Sequence, residues 1–234
     1  MTFVSNLING ISLGSVYAII ALGYTMVYGI AKMLNFAHGD VIMVGAYASY
    51  CTMIYLGWHP LLSILFSIVV CTVLGVAIEA FAYKPLRRAG SLAVLITAIG
   101  VSYLLQNAAL LIWGSTPKIF TSVINIEPLS LFGGKLIITA ESIVTVLACV
   151  LIMIGLTLFT QKTKIGKAMR AVSEDKDAAQ LMGININRTI SLTFAIGSGL
   201  AAIAGALLCS AYPTLQNTTG AMPGIRAFVA AVFG

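Results

Sequence analysis

Two long stretches of the chain carry no ionised side chain, and they constrain the fold more than any other feature. Residues 1–31 and residues 41–78 contain no Asp, Glu, Lys or Arg. A helix needs about 20 apolar residues to cross the hydrocarbon core of a bilayer, and both stretches are longer than that. Only 9% of all residues are charged, whereas a typical soluble domain has about 25%. The sequence therefore excludes a water-soluble fold and predicts an all-α protein embedded in a lipid bilayer.

Further hydrophobic runs extend this prediction to a polytopic transmembrane helical bundle. The runs lie at residues 7–31, 41–57, 61–83, 91–113, 136–160 and 190–212, and another begins near residue 225. We expect six nearly complete spans in a single transmembrane domain, residues 1–234. Because the chain ends inside the last run, we expect this domain to be truncated at its C-terminus.

The basic residues indicate how the bundle is oriented. If the N-terminus lies outside, one side of the membrane receives most of the basic residues: Lys32, Lys84, Arg87, Arg88, Lys162, Lys164, Lys167, Arg170, Lys176 and Arg188. The other side receives only Lys118 and Lys135. Since Lys and Arg accumulate in cytoplasmic loops, we predict that the N-terminus is outside and that residues 161–189 form a long cytoplasmic loop. The net charge of +6 then reflects topology, and we expect no nucleic-acid partner.

Small residues recur at four-residue spacing in the first and sixth runs. In lipid, such stripes let helix backbones approach closely, so we expect these two helices to form the core of the bundle. The stripes are Gly10, Gly14 and Ala18 in the first run, and Gly197, Ala201 and Gly205 in the sixth.

The long cytoplasmic loop is too polar to enter lipid, yet it has a helical pattern. Ser173 precedes the run EDKDAAQLMG, and its hydroxyl could accept hydrogen bonds from the free amides of a first helical turn. Glu174 and Asp177 would favour the same helix start, because acidic residues are stabilised there. Gly183 is a natural helix terminator. We therefore predict a compact helix held against the cytoplasmic face of the bundle.

Polar residues interrupt the apolar sequence between the first two spans, where Asn35, His38 and Asp40 follow one another closely. An ionised Asp at membrane depth costs about 2.5–3.5 kcal/mol, so other groups must offset that cost. If Gly39 breaks the helix, Asp40 would lie in the first turn of a half-helix, a geometry with which transporters bind charged groups. Alternatively, residues 32–40 form a short cytoplasmic turn in which Asp40 caps the second helix.

Two amide side chains lie deep in the fourth run. Gln106 and Asn107 follow Ser102 by about one helical turn, and the three could line a pathway through the bundle. Hydrogen bonding between neighbouring helices is an equally common role for such residues.

Several of these segments resemble one family of transport proteins. The run DAAQLMG, residues 177–183, resembles the EAA-loop signature of ABC-importer permeases, with Asp177 where Glu is usual. The runs SLGSVYAIIALGYT and MVYGIAKMLNFAHGD, and SLTFAIGSGLAAIAGALL in the sixth span, resemble permeases of the branched-chain amino acid ABC transporters, the LivH type. The likeness extends through nearly all of the chain.

The resemblance implies a permease subunit of an ATP-driven importer that carries branched-chain and other hydrophobic amino acids across the bacterial cytoplasmic (inner) membrane. The short loop helix would be the coupling helix, which docks on an ATPase subunit. The implied coupling residues are Ser173, Glu174, Asp177, Ala178, Ala179, Leu181 and Gly183. The implied partners are a second homologous permease subunit, two ABC ATPase subunits and an extracytoplasmic substrate-binding protein.

The sequence itself contains no Gly-rich phosphate loop ending in Gly-Lys-Ser/Thr, so we expect ATP and Mg²⁺ to be used by partner subunits. The spacing of the four cysteines fits neither a zinc site nor a disulfide framework, and we expect no metal and no cofactor in this chain. His38 and Asp40 could serve an intramembrane enzyme as an acid/base pair, but no nucleophile motif accompanies them. The sequence is also compatible with a permease for urea or short amides, and with a passive channel.

Overall fold

The structure, a computed structural model, describes residues 2–87, 89–123, 129–131 and 136–233. These residues form a helical bundle, as the sequence predicts. The helices are α1 (Thr2–Ala31), α2 (His38–Ile54), α3 (Pro60–Ile78), α4 (Ser91–Trp113), α5 (Ala140–Lys162), α6 (Lys164–Glu174), α7 (Lys176–Leu181), α8 (Ile186–Ala211) and α9 (Ala221–Phe233). Helix α3 continues into a π-helical turn, Glu79–Tyr83, and a 3₁₀ turn, Lys84–Leu86.

Two short antiparallel strand pairs accompany the helices. Strand β1 (Lys118–Ile119) pairs with β4 (Thr214–Leu215), and β2 (Leu129–Leu131) pairs with β3 (Leu136–Ile138). The pairing of β1 with β4 ties the segment after α4 to the chain between α8 and α9. The hydrophobic pattern of the sequence did not indicate these strands.

Within the described residues, five helices are long and apolar enough to cross a membrane: α1, α3 with its two extensions, α4, α5 and α8. Large apolar side chains are exposed along α3, α4 and α5, as expected for surfaces that face lipid. Helix α2 is shorter. Its 17 residues extend over about 25 Å, whereas the hydrocarbon core is about 30 Å thick. The run at residues 41–57 is therefore not among the five long spans.

Helix α8 lies at the centre of the bundle, against α1, α2 and α3. Its glycines allow this packing: a Cβ on Gly205 would overlap the carbonyl oxygen of Ile42, and a Cβ on Gly197 would lie 2.8 Å from Cγ2 of Val27. The prediction that a small-residue stripe places the sixth run in the core is thus confirmed.

The first helix also lies in the core, as predicted, but only the last residue of its stripe takes part. Ala18 packs against the core, whereas a Cβ on Gly10 or Gly14 would meet no atom within 4 Å. Helix α1 packs in the bundle through another face, which carries Val16, Ile20 and Tyr24. The reason is that small residues permit a close approach but do not select the helix face that makes it.

Helix α2 begins inside the bundle. The His38 ring lies beside Gly23, where a Cβ would be 3.2 Å from Nε2 of that ring. Gly23 precedes the end of α1 by about two turns, or roughly 12 Å. Residues 32–37, which we call the link, therefore run back along α1 before α2 starts. Lys32 begins the link with a left-handed backbone, φ 55°.

Helix α9 begins next to the same point. Gly220 and Gly39 pack so closely that a Cβ on either would overlap the carbonyl group of the other. Gly224, in the first turn of α9, lies against the backbone of Gly39 as well, and its own Cβ would be 2.7 Å from Cα of Gly39. The first turns of two helices thus meet within the bundle.

Basic residues separate toward the two ends of the bundle. Lys176 donates to the carbonyl oxygen of Ala31, next to Lys32, and Arg87 donates to Asn187 in the first turn of α8; we call the place where these three basic residues gather the basic end. Lys118 pairs with Leu215 at the opposite end, beyond the end of α8. Arg88 and Lys135 lie outside the described residues. The assignment of the basic end to the cytoplasm stays a prediction.

Gly205→Ala should destabilise the bundle, because its methyl group would meet the backbone of α2. Overpacking of this kind costs about 1–3 kcal/mol, and thermal unfolding of the purified protein in detergent would measure the loss. Gly155→Ala on α5 is the matched control, since a Cβ there meets nothing within 4 Å. Equal melting temperatures for the two variants would contradict the observed packing of α8.

Candidate functional site

The predicted polar residues at the start of α2 are buried in the bundle. Asn35, His38 and Asp40 are 5%, 2% and 1% exposed. Their burial agrees with a half-helix that starts within the bundle, whereas the position of residues 32–40 relative to the cytoplasm stays a prediction. Gly39 does not break the helix, however, because it is the second residue of α2 and the break lies in the link.

Asp40 does not cap α2. It lies in the first turn of this helix, and the residue at the N-cap position is Ala37, which offers no side-chain hydrogen bond. An acidic side chain in a first turn is stabilised by the helix dipole without being a cap.

The carboxyl group of Asp40 reaches α4. Gln106 Nε2 donates to Asp40 Oδ1 at 2.9 Å and lies 3.2 Å from Ser102 Oγ. Asn107 turns away from this group, since its Nδ2 donates to the Tyr103 carbonyl oxygen of its own helix at 2.8 Å. The structure thus brings Gln106 to Asp40 and leaves Asn107 apart.

The link is held by two tyrosines. The backbone amide of Asn35 donates to the Tyr24 hydroxyl at 3.2 Å, and the Tyr83 hydroxyl donates to Asn35 Oδ1 at 2.9 Å. Tyr24 also meets the His38 ring edge-on, with 5.7 Å between the ring centroids. His38 Nε2 is buried and has no hydrogen-bond partner among the residues that the structure describes.

A second buried network lies near the basic end, and the sequence did not reveal it. Glu79 is 1% exposed, forms an ion pair with Arg87 and accepts a hydrogen bond from Ser191 Oγ at 2.6 Å. Arg87 also donates to Asn187 Oδ1, so α8 is tied to the π-helical turn after α3. A carboxylate inside an apolar run signals such a pairing, but it does not identify the partner.

Another pair that the sequence did not reveal joins α1 and α9. The Arg226 guanidinium donates to the Tyr17 hydroxyl, and its Cζ lies 5.1 Å from the centroid of the Tyr17 ring. This geometry is a cation–π contact. A lone arginine within an apolar run was the available signal, because a charge at membrane depth needs a partner.

The long loop folds into two helices, and its cap differs from the prediction. Asp175, between α6 and α7, accepts hydrogen bonds through Oδ1 from the amides of Asp177 at 2.8 Å and Ala178 at 3.0 Å. Ser173 is not a cap, because α6 continues to Glu174 and the Ser173 hydroxyl donates back to the Arg170 carbonyl at 2.7 Å.

The predicted end of the loop helix is confirmed. Gly183 has φ 81°, its amide donates to the Gln180 carbonyl at 3.0 Å, and the amide of Ile184 donates to the Ala179 carbonyl at 3.0 Å. These two hydrogen bonds form a Schellman motif, in which glycine supplies the left-handed residue.

The two faces of α7 differ in exposure. Ala179 is 3% exposed and packs toward the bundle, whereas Leu181 and Met182 are 89% and 84% exposed. Most of the other residues predicted for this loop are also exposed: Glu174, Asp177, Ala178 and Gly183. Lys176, the first residue of α7, donates through Nζ to the Ala31 carbonyl oxygen at 3.0 Å.

Within the part of the chain that the structure describes, no group of three or more His, Cys, Asp or Glu residues could hold a metal ion.

Comparison with known proteins adds to this geometry. The profile of a family described as "Branched-chain amino acid transport system / permease component" matches residues 6–234. The chain is 40% identical to the high-affinity branched-chain amino acid transport system permease protein BraD of Pseudomonas aeruginosa, over 99% of this chain and 79% of BraD. Its identity to LivH of Escherichia coli K12 is also 40%, with the same coverage. A probable LivH of Methanocaldococcus jannaschii is 33% identical over 92% of this chain and 69% of that protein. No solved structure matches the chain at a significant level.

Gln106→Leu should destabilise the protein, because it removes the amide donor to the buried carboxyl group of Asp40. The expected loss in the free energy of unfolding is about 1–3 kcal/mol, measured by thermal or denaturant unfolding in detergent. Asn107→Leu is the matched control, since that amide bonds only to its own helix. If Gln106→Leu proves no less stable than Asn107→Leu, the contact between α2 and α4 does not contribute as described.

Proposed function

This chain belongs to the family of permease components of branched-chain amino acid transport systems, and we propose that it is the membrane subunit of an ATP-driven importer for those amino acids. The observation that carries the proposal is the similarity to BraD and LivH, which extends over 99% of the chain. The names of these relatives favour branched-chain amino acids as the substrate over urea or short amides. A permease also explains the patterned loop, which a passive channel does not need.

The protein is a multi-pass protein of the bacterial inner membrane, and we infer that its basic end faces the cytoplasm. Lys32, Arg87 and Lys176 gather there, in agreement with the rule that basic residues remain on the cytoplasmic side. Helices α6 and α7 would then project from the cytoplasmic face, and the N-terminus would lie outside.

The exposed face of α7 is the proposed contact with an ATPase subunit. Leu181 and Met182 are large apolar side chains on a surface that would otherwise face water, and such exposure marks an interaction site. The small side chain of Ala178 would let a partner approach the helix closely. The Asp175 cap and the Gly183 terminator keep this short helix rigid enough to transmit a force.

The other proposed partners follow from the same class of transporter. Two ABC ATPase subunits would bind and hydrolyse ATP with Mg²⁺, and a second homologous permease subunit would complete the pathway. An extracytoplasmic binding protein would deliver the amino acid. This chain would supply the pathway and the coupling surface, and no reaction step.

The polar start of α2 is the proposed contact with the substrate. An amino acid carries an ammonium and a carboxylate, and both must be partnered inside the bilayer. Asp40 and Gln106 offer acceptor atoms for the ammonium group, and His38 Nε2 is a buried nitrogen without a partner in the described part of the chain. The first turn of α2 favours the carboxylate, as half-helices do in other transporters. Movement of α2 would expose this polar point to one side of the membrane and then to the other.

Reconstitution tests the function directly. The chain, its partner permease and the ATPases are placed in proteoliposomes, and labelled leucine is offered with the loaded binding protein on the outside. We expect uptake that requires ATP, and competition by isoleucine and valine but not by urea. Uptake that persists without ATP would indicate a channel and contradict the proposal.

Leu181→Asp should separate the permease from its ATPase without unfolding it, because Leu181 is 89% exposed in this chain. Loss of an apolar anchor costs about 2 kcal/mol or more, so binding should weaken roughly thirtyfold, as measured by co-purification and titration of the ATPase. Ile119→Asp, at a site that is 82% exposed near the opposite end, is the matched control. Unchanged ATPase binding by Leu181→Asp would exclude this face of α7 as the contact.

A further inference from the structure

Lys176 connects the loop to the end of a membrane-spanning helix. Its Nζ donates to the carbonyl oxygen of Ala31, the fully buried last residue of α1, at 3.0 Å. The last carbonyl groups of a helix have no intrahelical partner, and a cation is stabilised beside them by the helix dipole. Lys176 therefore serves as a partner of α1 as well as the first residue of α7.

The position of Lys176 is crowded with positive charge. Partial burial, with Arg87 and Lys32 close by, lowers the pKa of the Lys176 ammonium from its ordinary value. Holding a cation at this place costs free energy, and the hydrogen bond to Ala31 offsets part of that cost. The side chain thus points inward to one carbonyl group of α1.

The link, residues 32–37, begins immediately after Ala31. The link is held at Asn35, whose backbone amide donates to the Tyr24 hydroxyl and whose Oδ1 accepts from the Tyr83 hydroxyl, and it ends at the first turn of α2. The link is six residues long and is bonded at its middle, so it joins the last turn of α1 closely to the first turn of α2.

Helix α7 presents one face to the outside and another to the bundle. Leu181 and Met182 face outward, where the proposed function places the ATPase, and Lys176 and Ala179 face the bundle. We propose that Lys176 is a positioning residue that transmits movement of α7, through the end of α1 and the link, to the polar start of α2. This inference rests on the proposed function and adds the route by which ATP hydrolysis reaches the substrate contact.

The test uses the complete transporter in proteoliposomes and compares basal ATP hydrolysis with hydrolysis stimulated by the leucine-loaded binding protein. Lys176→Met keeps the aliphatic stem and removes the donor, whereas Lys176→Arg keeps a donor. Coupling between sites typically corresponds to at least a fivefold change, so Lys176→Met should reduce the stimulation about fivefold or more. Basal hydrolysis and subunit composition should be retained, and Lys176→Arg should restore most of the stimulation.

Lys167→Met is the matched control, because Lys167 is an exposed lysine on α6 and its loss should leave the stimulation unchanged. Stimulation of the Lys176→Met variant equal to that of the unaltered protein would overturn the inference and leave the proposed function intact. If the unaltered transporter showed no leucine-dependent ATP hydrolysis and no uptake, the proposed function would fail first.

A double-variant measurement tests the route itself. Tyr83→Phe removes the hydroxyl group that holds Asn35, and it keeps the ring that packs on Phe194. If both residues act on the link, Tyr83→Phe should also reduce the stimulation of ATP hydrolysis. The stimulation of the double variant should then equal that of whichever single variant is stimulated less. If the double variant instead loses stimulation by the product of the two single losses, the two residues act independently and the proposed route is wrong. Should Lys176→Met fail to assemble, Tyr83→Phe alone decides, because unchanged stimulation in that variant contradicts the inference.

Discussion

Inside a bilayer, every backbone amide and carbonyl group must find its partner within the protein, and this requirement governs the structure around the link. Residues 32–37 leave the helical hydrogen-bonding pattern beside buried parts of α1, so other groups must satisfy them. The Tyr24 hydroxyl accepts from the backbone amide of Asn35, the Tyr83 hydroxyl donates to the side chain of the same residue, and Lys176 satisfies the last carbonyl group of α1. The early start of α2, the burial of Asp40 and the close contact with α9 all depend on this supported break.

Much of the fold could be predicted because lipid leaves few choices. The length of the charge-free, apolar runs predicted α1, α3, α4, α5 and α8. Gly183 was predictable as the end of the loop helix, because helices often end in a residue with positive φ and glycine adopts that conformation without strain. The depth at which α2 starts could not be predicted, because hydropathy counts apolar residues and does not record that the chain turns back along its neighbour. Ser173 and Asp175 are both good caps, and the choice between them depends on how far α6 continues.

In the candidate site, too, the sequence indicated some of the residues but not how they pair. Asn35, His38 and Asp40 were recognisable because polar residues in an apolar sequence require an explanation. Gln106 and Asn107 were not distinguishable, since adjacent residues of one chemical type differ only in the helix face they occupy, and the packing of α4 on α2 sets that face. Tyr83 could not be identified as a partner of Asn35, because the π-helical turn changes the direction in which side chains leave α3.

The contact between Gly39 and Gly220 has a consequence for how the protein is made. A ribosome completes α1, the link and α2 long before it reaches α8 and α9, so the glycines of α2 emerge without their packing partners. The early part of the chain must then wait, sheltered in the insertion machinery or by surrounding lipid head groups, until the later helices arrive. The bundle can therefore close around the start of α2 only after α9 has been made.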